Sequence, residues 1–214
     1  MNVLKAVKQV SLYLALGDSI TAGYSVGGAF SFPTVYGDFL KRHNSELSVH
    51  NLGVNGLTTH GLLNLLQSNC RLRQLVSRAS LITITIGSND LLQLIKNPSH
   101  SFNPSLLPVL LSNIGKTLAQ IGKIIRLLNS MAIVKVATLY NPLPAGPYTQ
   151  YSTQVQGVID TTNAIVITWA KSYGFVVVHL DREIRGKERS LIGPDYGHPN
   201  VAGYRVIAKA FARY

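Results

Sequence analysis

The sequence predicts an α/β fold: a five-stranded parallel sheet, in the strand order 2-1-3-4-5, with helices on both faces. Apolar runs that are typical of strands alternate five times with stretches whose apolar residues recur at helical spacing. The runs are continuously apolar rather than alternating, as in parallel strands that are buried on both faces. Because the chain shows no internal repeat and no linker-like stretch, residues 1–214 are predicted to form one domain.

Each predicted strand is a short apolar run that ends at or near a turn residue. The first run, from Val10 to Leu16, stops at Gly17, and the run LITITI stops at Gly87. The five predicted strands cover residues 10–16, 47–52, 81–86, 132–139 and 175–180.

The predicted helices carry apolar residues on one side, at the spacing i, i+3, i+4 and i+7. The clearest stripe runs from Val155 to Trp169. A long helix is predicted to end near Asn129 and to hold Pro108 in its first turn, where a missing N–H is tolerated. The other predicted helices begin at Pro33, cover 62–76 and cover 201–211. Stretches 21–32, 91–104 and 141–147 are rich in Gly, Ser, Asn or Pro and are predicted to be loops.

The composition excludes several classes of protein. Hydrophobic residues make up 46% of the chain and charged residues 14%, which excludes a disordered protein. No apolar run approaches the about 20 residues that a membrane-spanning helix requires. The apolar N-terminal part has no small-residue cleavage site, so it is interpreted as the first strand and not as a signal peptide, and the predicted location is cytoplasmic. Cys70 is the only cysteine, which excludes an intrachain disulfide, and a packed thiol is expected there.

The formal net charge of +11, from 20 Lys and Arg against 9 Asp and Glu, raises the question of an anionic partner. The basic residues are spread over two predicted helical stretches, 71–78 and 116–126, and a predicted loop over 182–189, and aromatic residues do not alternate with them. A groove for nucleic acid needs such aromatic platforms, so no specific nucleic-acid partner is predicted. Association with anionic lipid surfaces is the hypothesis that remains for the charge.

Four turns that end strands or precede helices carry polar groups suited to acyl transfer. Ser19 follows the first strand, Gly56 the second and Asn89 the third, and the turn before the last helix holds Asp195 and His198. A serine hydroxyl becomes a strong nucleophile when an imidazole takes its proton, and a carboxylate three residues from the imidazole can orient the ring. The N–H groups of Ser19 and Gly56 and the amide of Asn89 are candidate donors to the oxyanion of a tetrahedral intermediate.

Three of these turns also have a purely structural interpretation. Gly-Asp-Ser is a common turn sequence. Asn89 and its neighbour Asp90 can cap a helix. Gly56 can be an ordinary turn glycine. Within the functional interpretation, Gly53, three residues earlier, competes with Gly56 for the role of the glycine in the second turn.

A metal site is the other chemical interpretation of Asp195 and His198. The five remaining histidines are scattered along the chain, and no second cluster has ligand spacing. Neither a metal nor any other cofactor is therefore predicted. Asp18, although it is acidic and adjacent to Ser19, is expected to support the turn.

Taken in order along the chain, these motifs resemble those of the GDSL-type esterases and lipases, also called SGNH hydrolases. The matching blocks extend over nearly the whole chain and are Gly17-Asp18-Ser19, Gly56, Gly87-Ser88-Asn89-Asp90 and Asp195-Tyr196-Gly197-His198. The resemblance implies a flavodoxin-like three-layer α/β/α fold and serine esterase chemistry without a metal. It implies that Ser19 is the nucleophile, that His198 is the general base and that Asp195 orients His198. It also implies an oxyanion hole formed by Ser19, Gly56 and Asn89.

The expected substrate is a carboxylic ester, and a lipid or lysophospholipid acyl ester is the first choice. The loops after the third and fourth strands can line an apolar groove for an acyl tail, through Leu91, Leu92, Leu94, Ile95 and the stretch NPLPAGPY at 141–148. Packing in the core is the alternative for the same residues. An acyl thioester, a short-chain ester or a sugar acetyl ester stays open as a substrate of the same site. A noncatalytic module that binds an anionic ligand is the alternative outside enzyme chemistry.

Overall fold

The centre of the molecule is a parallel sheet of five strands, counted over residues 11–92 and 104–214, which the computed structural model describes. The strands are β1 (Leu12–Gly17), β2 (Ser48–Gly53), β3 (Leu81–Thr85), β4 (Ile133–Ala137) and β5 (Val176–Val178). They lie in the order β2-β1-β3-β4-β5 and all neighbours are parallel. This order confirms the prediction and places β1 between β2 and β3, inside the sheet.

Helices connect the strands and cover both faces of the sheet. They are α1 (Ser19–Ala22), α2 (Phe32–Lys41), α3 (Thr59–Ser68), α4 (Cys70–Arg78), α5 (Ser88–Leu92), α6 (Leu107–Leu128), α7 (Ser152–Ser172), α8 (Leu180–Ile184), α9 (Glu188–Leu191) and α10 (Val201–Arg213). Short 3₁₀ turns lie at Gly28–Phe30, Pro104–Leu106, Leu143–Ala145 and Thr149–Tyr151.

Side chains that alternate along β1 belong to two separate cores, because successive residues of a strand point to opposite faces. Leu14 and Leu16 pack on one face with buried residues of α3, α4, α6 and α7. Tyr13 and Ala15 pack on the other face with buried residues of α1, α2 and α10. The three-layer α/β/α arrangement expected from the sequence is therefore confirmed.

Two glycines allow the close packing at the carboxyl end of β1. Gly17, with a φ of +142°, pairs with Gly53 of β2 and with Thr85 of β3. A Cβ atom on Gly17 would overlap the carbonyl oxygen of Thr85, and one on Gly53 would overlap the backbone nitrogen of Ala22. The absence of side chains therefore lets α1 lie directly against the end of β2, and this fixes the position of Ser19 in the first turn of α1.

The predicted helix over residues 62–76 is two helices, α3 and α4, separated at Asn69. Asn69 has an extended backbone, with φ −89° and ψ 103°. Its N–H donates to the Leu65 carbonyl at the end of α3, and its side-chain oxygen accepts from the Leu72 N–H at the start of α4. The leucines on the two sides of the break keep a nearly helical spacing, so periodicity alone does not show it.

Other differences concern short elements. The predicted fifth strand over 175–180 is reduced to Val176–Val178, because Leu180 already begins α8. The predicted loop over 21–32 holds the end of α1 and a 3₁₀ turn, and the basic stretch 182–189 lies mostly in α8 and α9 rather than in a loop. Helices of four or five residues contain too few turns to produce a periodic signal. Most of the predicted loop over 91–104 lies outside the described residues.

The expectation of a packed thiol at Cys70 is wrong, since Cys70 is exposed. It is the first residue of α4, whose buried residues are Leu72 and Val76. Residues 70 and 72 lie on opposite sides of a helix with 3.6 residues per turn. The Cys70 side chain therefore projects away from the core.

Four basic residues lie at the carboxyl ends of helices that cover the sheet. Lys41, Arg78, Arg126 and Lys171 lie in the last turns of α2, α4, α6 and α7. Each of these helices leads into the next parallel strand, so these four cations lie at the amino-terminal edge of the sheet. The arrangement also suits the partial negative charge at a helix carboxyl end. In the two described ranges, no helix is both long enough and apolar enough to cross a membrane.

The helices α6 and α7 approach each other closely at Gly122, and this contact gives a test of the packing. A Cβ atom at Gly122 would lie 2.5 Å from Tyr173 Cδ2 and 2.7 Å from Trp169 Nε1, whereas one at Gly115 would meet Ile165 Cγ2 at an ordinary 3.5 Å. We expect Gly122→Ala to lower the free energy of unfolding by about 1–3 kcal/mol through overpacking. The matched variant Gly115→Ala should raise it by up to about 1 kcal/mol through helix propensity. Urea denaturation of both variants measures this, and equal effects would contradict the described packing.

Lys135, in the middle of β4, is a buried amine without a carboxylate partner among the described residues. The residue is 7% exposed, and Nζ donates to the Tyr36 hydroxyl at 2.9 Å and to the Phe211 carbonyl at 2.7 Å. Loss of hydration on burial lowers the pKa of Lys135 to about 8. The hydrogen bonds join the sheet to α2 and α10, at a cost in free energy while the amine is charged.

This cost predicts a specific dependence of stability on pH. Because the pKa of Lys135 is lower in the folded state, the unfolded chain binds more protons between about pH 8 and pH 10.5, and folding becomes more favourable as pH rises through that window. We expect the unfolding free energy of wild type minus that of Lys135→Met to increase by about 2 kcal/mol between about pH 7.5 and pH 10. The methionine variant cancels the contribution of other titrating groups, and a difference independent of pH would contradict the expectation.

Candidate active site

Ser19 follows the inner strand β1 after one intervening residue, as the first residue of α1. The preceding residue, Asp18, is the N-cap of α1: its carboxylate accepts from the Ile20 N–H at 3.0 Å. The same carboxylate accepts from the Thr85 hydroxyl at 2.9 Å and from the Ser88 hydroxyl at 2.9 Å. Burial raises the pKa of Asp18, although its hydrogen bonds act in the opposite direction. Asp18 thus ties the turn that holds Ser19 to the end of β3, in the supporting position expected from the sequence.

The structure brings Ser19, His198 and Asp195 into one hydrogen-bonded chain. His198 Nε2 lies 2.8 Å from Ser19 Oγ, although the two residues are 179 positions apart in the sequence. His198 Nδ1 lies 2.7 Å from Asp195 Oδ2. With an ionised carboxylate, Nδ1–H donates to Asp195, and Nε2 is then left to accept the Ser19 hydroxyl proton. This is the arrangement that raises the nucleophilicity of a serine hydroxyl.

The Asp195 carboxylate is held ionised by the turn in which it lies. Its Oδ1 accepts from the N–H groups of Gly197 at 3.1 Å and His198 at 3.0 Å. Partial burial raises the pKa of Asp195, but these hydrogen bonds and that of the His198 ring outweigh the effect, so the pKa lies below its ordinary value. Within the two described ranges, no three His, Cys, Asp or Glu side chains are grouped closely enough to hold a metal ion.

The turn that carries His198 is fixed at both of its ends. The Gly193 N–H donates to the His198 carbonyl at 2.7 Å, and Asn200 caps α10 by accepting from the Gly203 N–H. Tyr140, just past β4, donates its hydroxyl proton to the Gly197 carbonyl at 2.9 Å. The imidazole is therefore positioned by contacts from three parts of the fold.

The second turn supplies the backbone N–H of Gly56, which has no hydrogen-bond acceptor among the described residues. Gly56 is exposed, with a φ of +78° and no atom within 4 Å of where its Cβ would lie. The N–H of Ser19 likewise has no acceptor in the described parts of the chain. The N–H of Gly53, by contrast, donates to Asn51 Oδ1 at 3.0 Å, and its Cα packs against α1. Between the two glycines left open by the sequence, Gly56 is the one with a free donor.

Successive side chains of the third turn form hydrogen bonds to the second turn and to the start of α3. Asn89 Nδ2 donates to the carbonyl of Leu57, next to Gly56, at 3.0 Å. Asp90 is buried and accepts from both the N–H and the hydroxyl of Thr59, so it caps the start of α3. Burial raises the pKa of Asp90, and the hydrogen bonds from Thr59 oppose the rise. Among the described residues, no hydrogen bond joins Asn89 or Gly56 to Ser19 itself.

A residue without a predicted role, Tyr24, also belongs to this site. Its ring lies against the His198 ring, with the centroids 4.4 Å apart and the planes at 43°. The carbonyl of Tyr24 accepts from the buried Tyr204 hydroxyl at 3.1 Å. The sequence places Tyr24 in a Gly- and Ser-rich stretch, where no periodic pattern indicates which way a side chain points, so no signal could have assigned it.

A protein family and several solved structures are similar to this chain over most of its length. The model of the GDSL-like lipase/acylhydrolase family matches residues 15–206. A lipase, Lip_vut3, from a goat rumen metagenome is 24% identical, with a TM-score of 0.82, 94% of this chain covered and 96% of that chain. The psychrotrophic esterase EstA of Pseudoalteromonas sp., in a structure inhibited by monoethylphosphonate, is 19% identical, with a TM-score of 0.67 and coverage of 95% of each chain.

A third solved structure, the acetylxylan esterase Axe2 of Geobacillus stearothermophilus, is 20% identical, with a TM-score of 0.69, 95% of this chain covered and 93% of that chain. No curated protein sequence matches. At these identities the structural likeness shows a shared fold, and the family model carries the assignment. Its match includes all five residues singled out from the sequence, from Ser19 to His198. The chain therefore belongs to the GDSL-like lipase/acylhydrolase family and is a carboxylic ester hydrolase.

Proposed function

We propose that this enzyme cleaves carboxylic esters through an acyl-enzyme on Ser19, with His198 as general base and Asp195 orienting the imidazole. The observation that carries the proposal is the continuous chain of hydrogen bonds, 2.8 Å from Ser19 Oγ to the ring and 2.7 Å from the ring to the carboxylate. Such a chain gives the imidazole the tautomer and the direction that proton transfer requires.

In the first half of the reaction, Ser19 Oγ bonds to the ester carbonyl carbon as its proton passes to His198 Nε2. The carbonyl π electrons move onto oxygen and form a tetrahedral oxyanion. When the intermediate collapses, the bond to the alcohol oxygen breaks and Nε2 returns the proton to the departing alcohol. Water then attacks the acyl-enzyme with the same proton transfers, which releases the carboxylic acid and restores the Ser19 hydroxyl.

The oxyanion is proposed to bind the N–H groups of Ser19 and Gly56 and the side-chain amide of Asn89. The two backbone N–H groups are the free donors described above. Asn89 Nδ2 carries two protons, one of which is used by the Leu57 carbonyl, so the other is available for the oxyanion. Fixed donors of this kind contribute most in a site that is shielded from water.

A lipid or lysophospholipid acyl ester is the substrate class that we propose. Three connections that follow strands at the carboxyl edge of the sheet each present an exposed apolar side chain: Val54 after β2, Leu92 at the end of α5 after β3, and Tyr148 after β4. Exposed apolar side chains at one edge of the sheet favour contact with an apolar tail. Leu91, in contrast, packs against the core, and Leu94 and Ile95 lie outside the described residues.

Association with anionic lipid surfaces stays a separate proposal, because the basic charge is divided between the two edges of the sheet. The cations that end α2, α4, α6 and α7 lie at the amino-terminal edge, whereas Ser19 lies at the carboxyl edge. Lys187 and Arg189 line a pocket with Pro144 and Thr149, in the loop after β4, so part of the basic charge lies beside the proposed acyl site. The argument for a lipid substrate depends on the exposed apolar side chains.

The nucleophile is tested by replacing Ser19. Ser19→Ala should lower kcat for p-nitrophenyl esters by about 10⁴-fold or more, since the group that forms the acyl-enzyme is lost. It should also abolish labelling by a fluorophosphonate probe. Ser45→Ala, at an exposed serine between α2 and β2, is the control and should keep both properties. Ester hydrolysis retained by Ser19→Ala would rule out the mechanism, and a wild-type protein that does not react with the probe would favour a binding module.

The acyl chain is tested with p-nitrophenyl acetate, butyrate, octanoate and palmitate. We expect kcat/KM to rise from acetate to octanoate, by up to about 4-fold for each methylene that leaves water completely. Leu92→Ser should lower kcat/KM for octanoate and not for acetate. The matched variant Leu127→Ser, at an exposed leucine in the last turn of α6, should change neither.

A maximum at acetate would contradict the lipid ester proposal and favour a short-chain or sugar acetyl ester. Faster hydrolysis of octanoyl-CoA than of p-nitrophenyl octanoate would instead favour an acyl thioester.

A further inference from the structure

The contact between Tyr24 and His198 joins an exposed aromatic ring to the proposed general base. The ring centroids are 4.4 Å apart, within the about 6 Å over which an aromatic face attracts a cation. Tyr24 is 46% exposed, so core packing alone does not account for the position of its ring. Among the described residues, no other aromatic ring contacts the His198 ring.

The backbone around Tyr24 is fastened on both sides of the site. The Tyr24 N–H donates to the Ser19 carbonyl at 3.0 Å, and the Tyr24 carbonyl accepts from the Tyr204 hydroxyl. Ser25 adopts a left-handed conformation with a φ of +69°, and its hydroxyl donates to the carbonyl of Pro199, next to His198. A residue other than glycine in that conformation costs free energy, which surrounding contacts must offset. The backbone at Tyr24 and Ser25 is thus tied to Ser19 and to the neighbour of His198, which places the Tyr24 ring beside the imidazole.

Besides the Tyr24 ring, two carboxylates and two neutral tyrosines lie near the His198 imidazole. The Asp195 carboxylate, on the same turn, binds Nδ1, and the buried Asp18 carboxylate, at the end of β1, attracts the protonated ring. The hydroxyl groups of Tyr204 in α10 and Tyr140 after β4 donate to backbone carbonyls near His198. Burial raises the pKa of both tyrosines, so they stay neutral. No lysine or arginine pairs with these carboxylates in the described residues.

We propose that Tyr24 is a positioning residue, whose ring keeps the His198 imidazole in line with Ser19 and stabilises the imidazolium formed during proton transfer. The negative face of the aromatic ring attracts the positive imidazolium and has little effect on the neutral ring. The inference depends on the proposed role of His198 and adds a residue that the four motif blocks do not contain.

The kinetic test compares Tyr24→Leu with Tyr24→Phe over a range of about pH 5 to 9. Tyr24→Leu should shift the midpoint of the acid limb of kcat/KM to lower pH by about 0.5 unit and lower kcat by roughly 3- to 10-fold. Tyr24→Phe keeps the ring and should restore both values. Tyr151→Leu, which removes a tyrosine of similar exposure, 51%, should leave the midpoint unchanged. An unchanged midpoint in Tyr24→Leu, or an equal shift in Tyr24→Phe, would overturn the proposal.

A measurement without turnover separates this inference from the proposed mechanism. The imidazole of His198 can be titrated by NMR in a Ser19→Ala background, with and without Tyr24→Leu. The midpoint should be lower by about 0.5 unit in the double variant. Equal midpoints would overturn the role of Tyr24 even if Ser19 is the nucleophile, whereas hydrolysis retained by Ser19→Ala would overturn the mechanism and leave the titration valid.

Discussion

The packing of α10 against the sheet is the constraint on which the Ser19 site depends. The hydrogen bond between Ser19 and His198 joins positions 179 residues apart, and such a bond contributes only about 1 kcal/mol net. α10 begins just after His198 and buries Tyr204, Ile207 and Phe211 completely, next to β1 and α2. Burial of each large apolar side chain contributes about 2–3 kcal/mol. The distance between hydroxyl and imidazole is therefore set by the core.

Tyr204 connects this core directly to the chemistry. Its ring is fully buried, and its hydroxyl reaches the carbonyls of Ser19 at 3.4 Å and Tyr24 at 3.1 Å. The third turn acts in the same way, since Ser88 binds the carboxylate next to the nucleophile and Asn89 fixes the turn that holds Gly56. Several residues of the sequence motifs thus fix the positions of loops relative to one another. Proton transfer requires its reacting groups to be positioned this precisely.

The strand order and the convergence of Ser19 and His198 could be predicted because they follow from long apolar runs and from turns at the ends of parallel strands. The break at Asn69 and the exposure of Cys70 could not, since a local capping bond and the orientation of one helix decide them. The contact of Tyr24 with His198 could not be predicted, because the position of Tyr24 depends on hydrogen bonds to distant parts of the chain. The single domain and the cytoplasmic location remain predictions from the sequence.

Positive charge is present at both edges of the sheet. The cations that end α2, α4, α6 and α7 lie at the amino-terminal edge, whereas Lys187 and Arg189 line a pocket with Pro144 and Thr149, in the loop after β4. An anionic bilayer would therefore attract the molecule in more than one orientation, so electrostatic attraction alone would not turn Ser19 toward the lipid or away from it. A high salt concentration would weaken the attraction in every orientation, because surface charges then act over only a few ångströms.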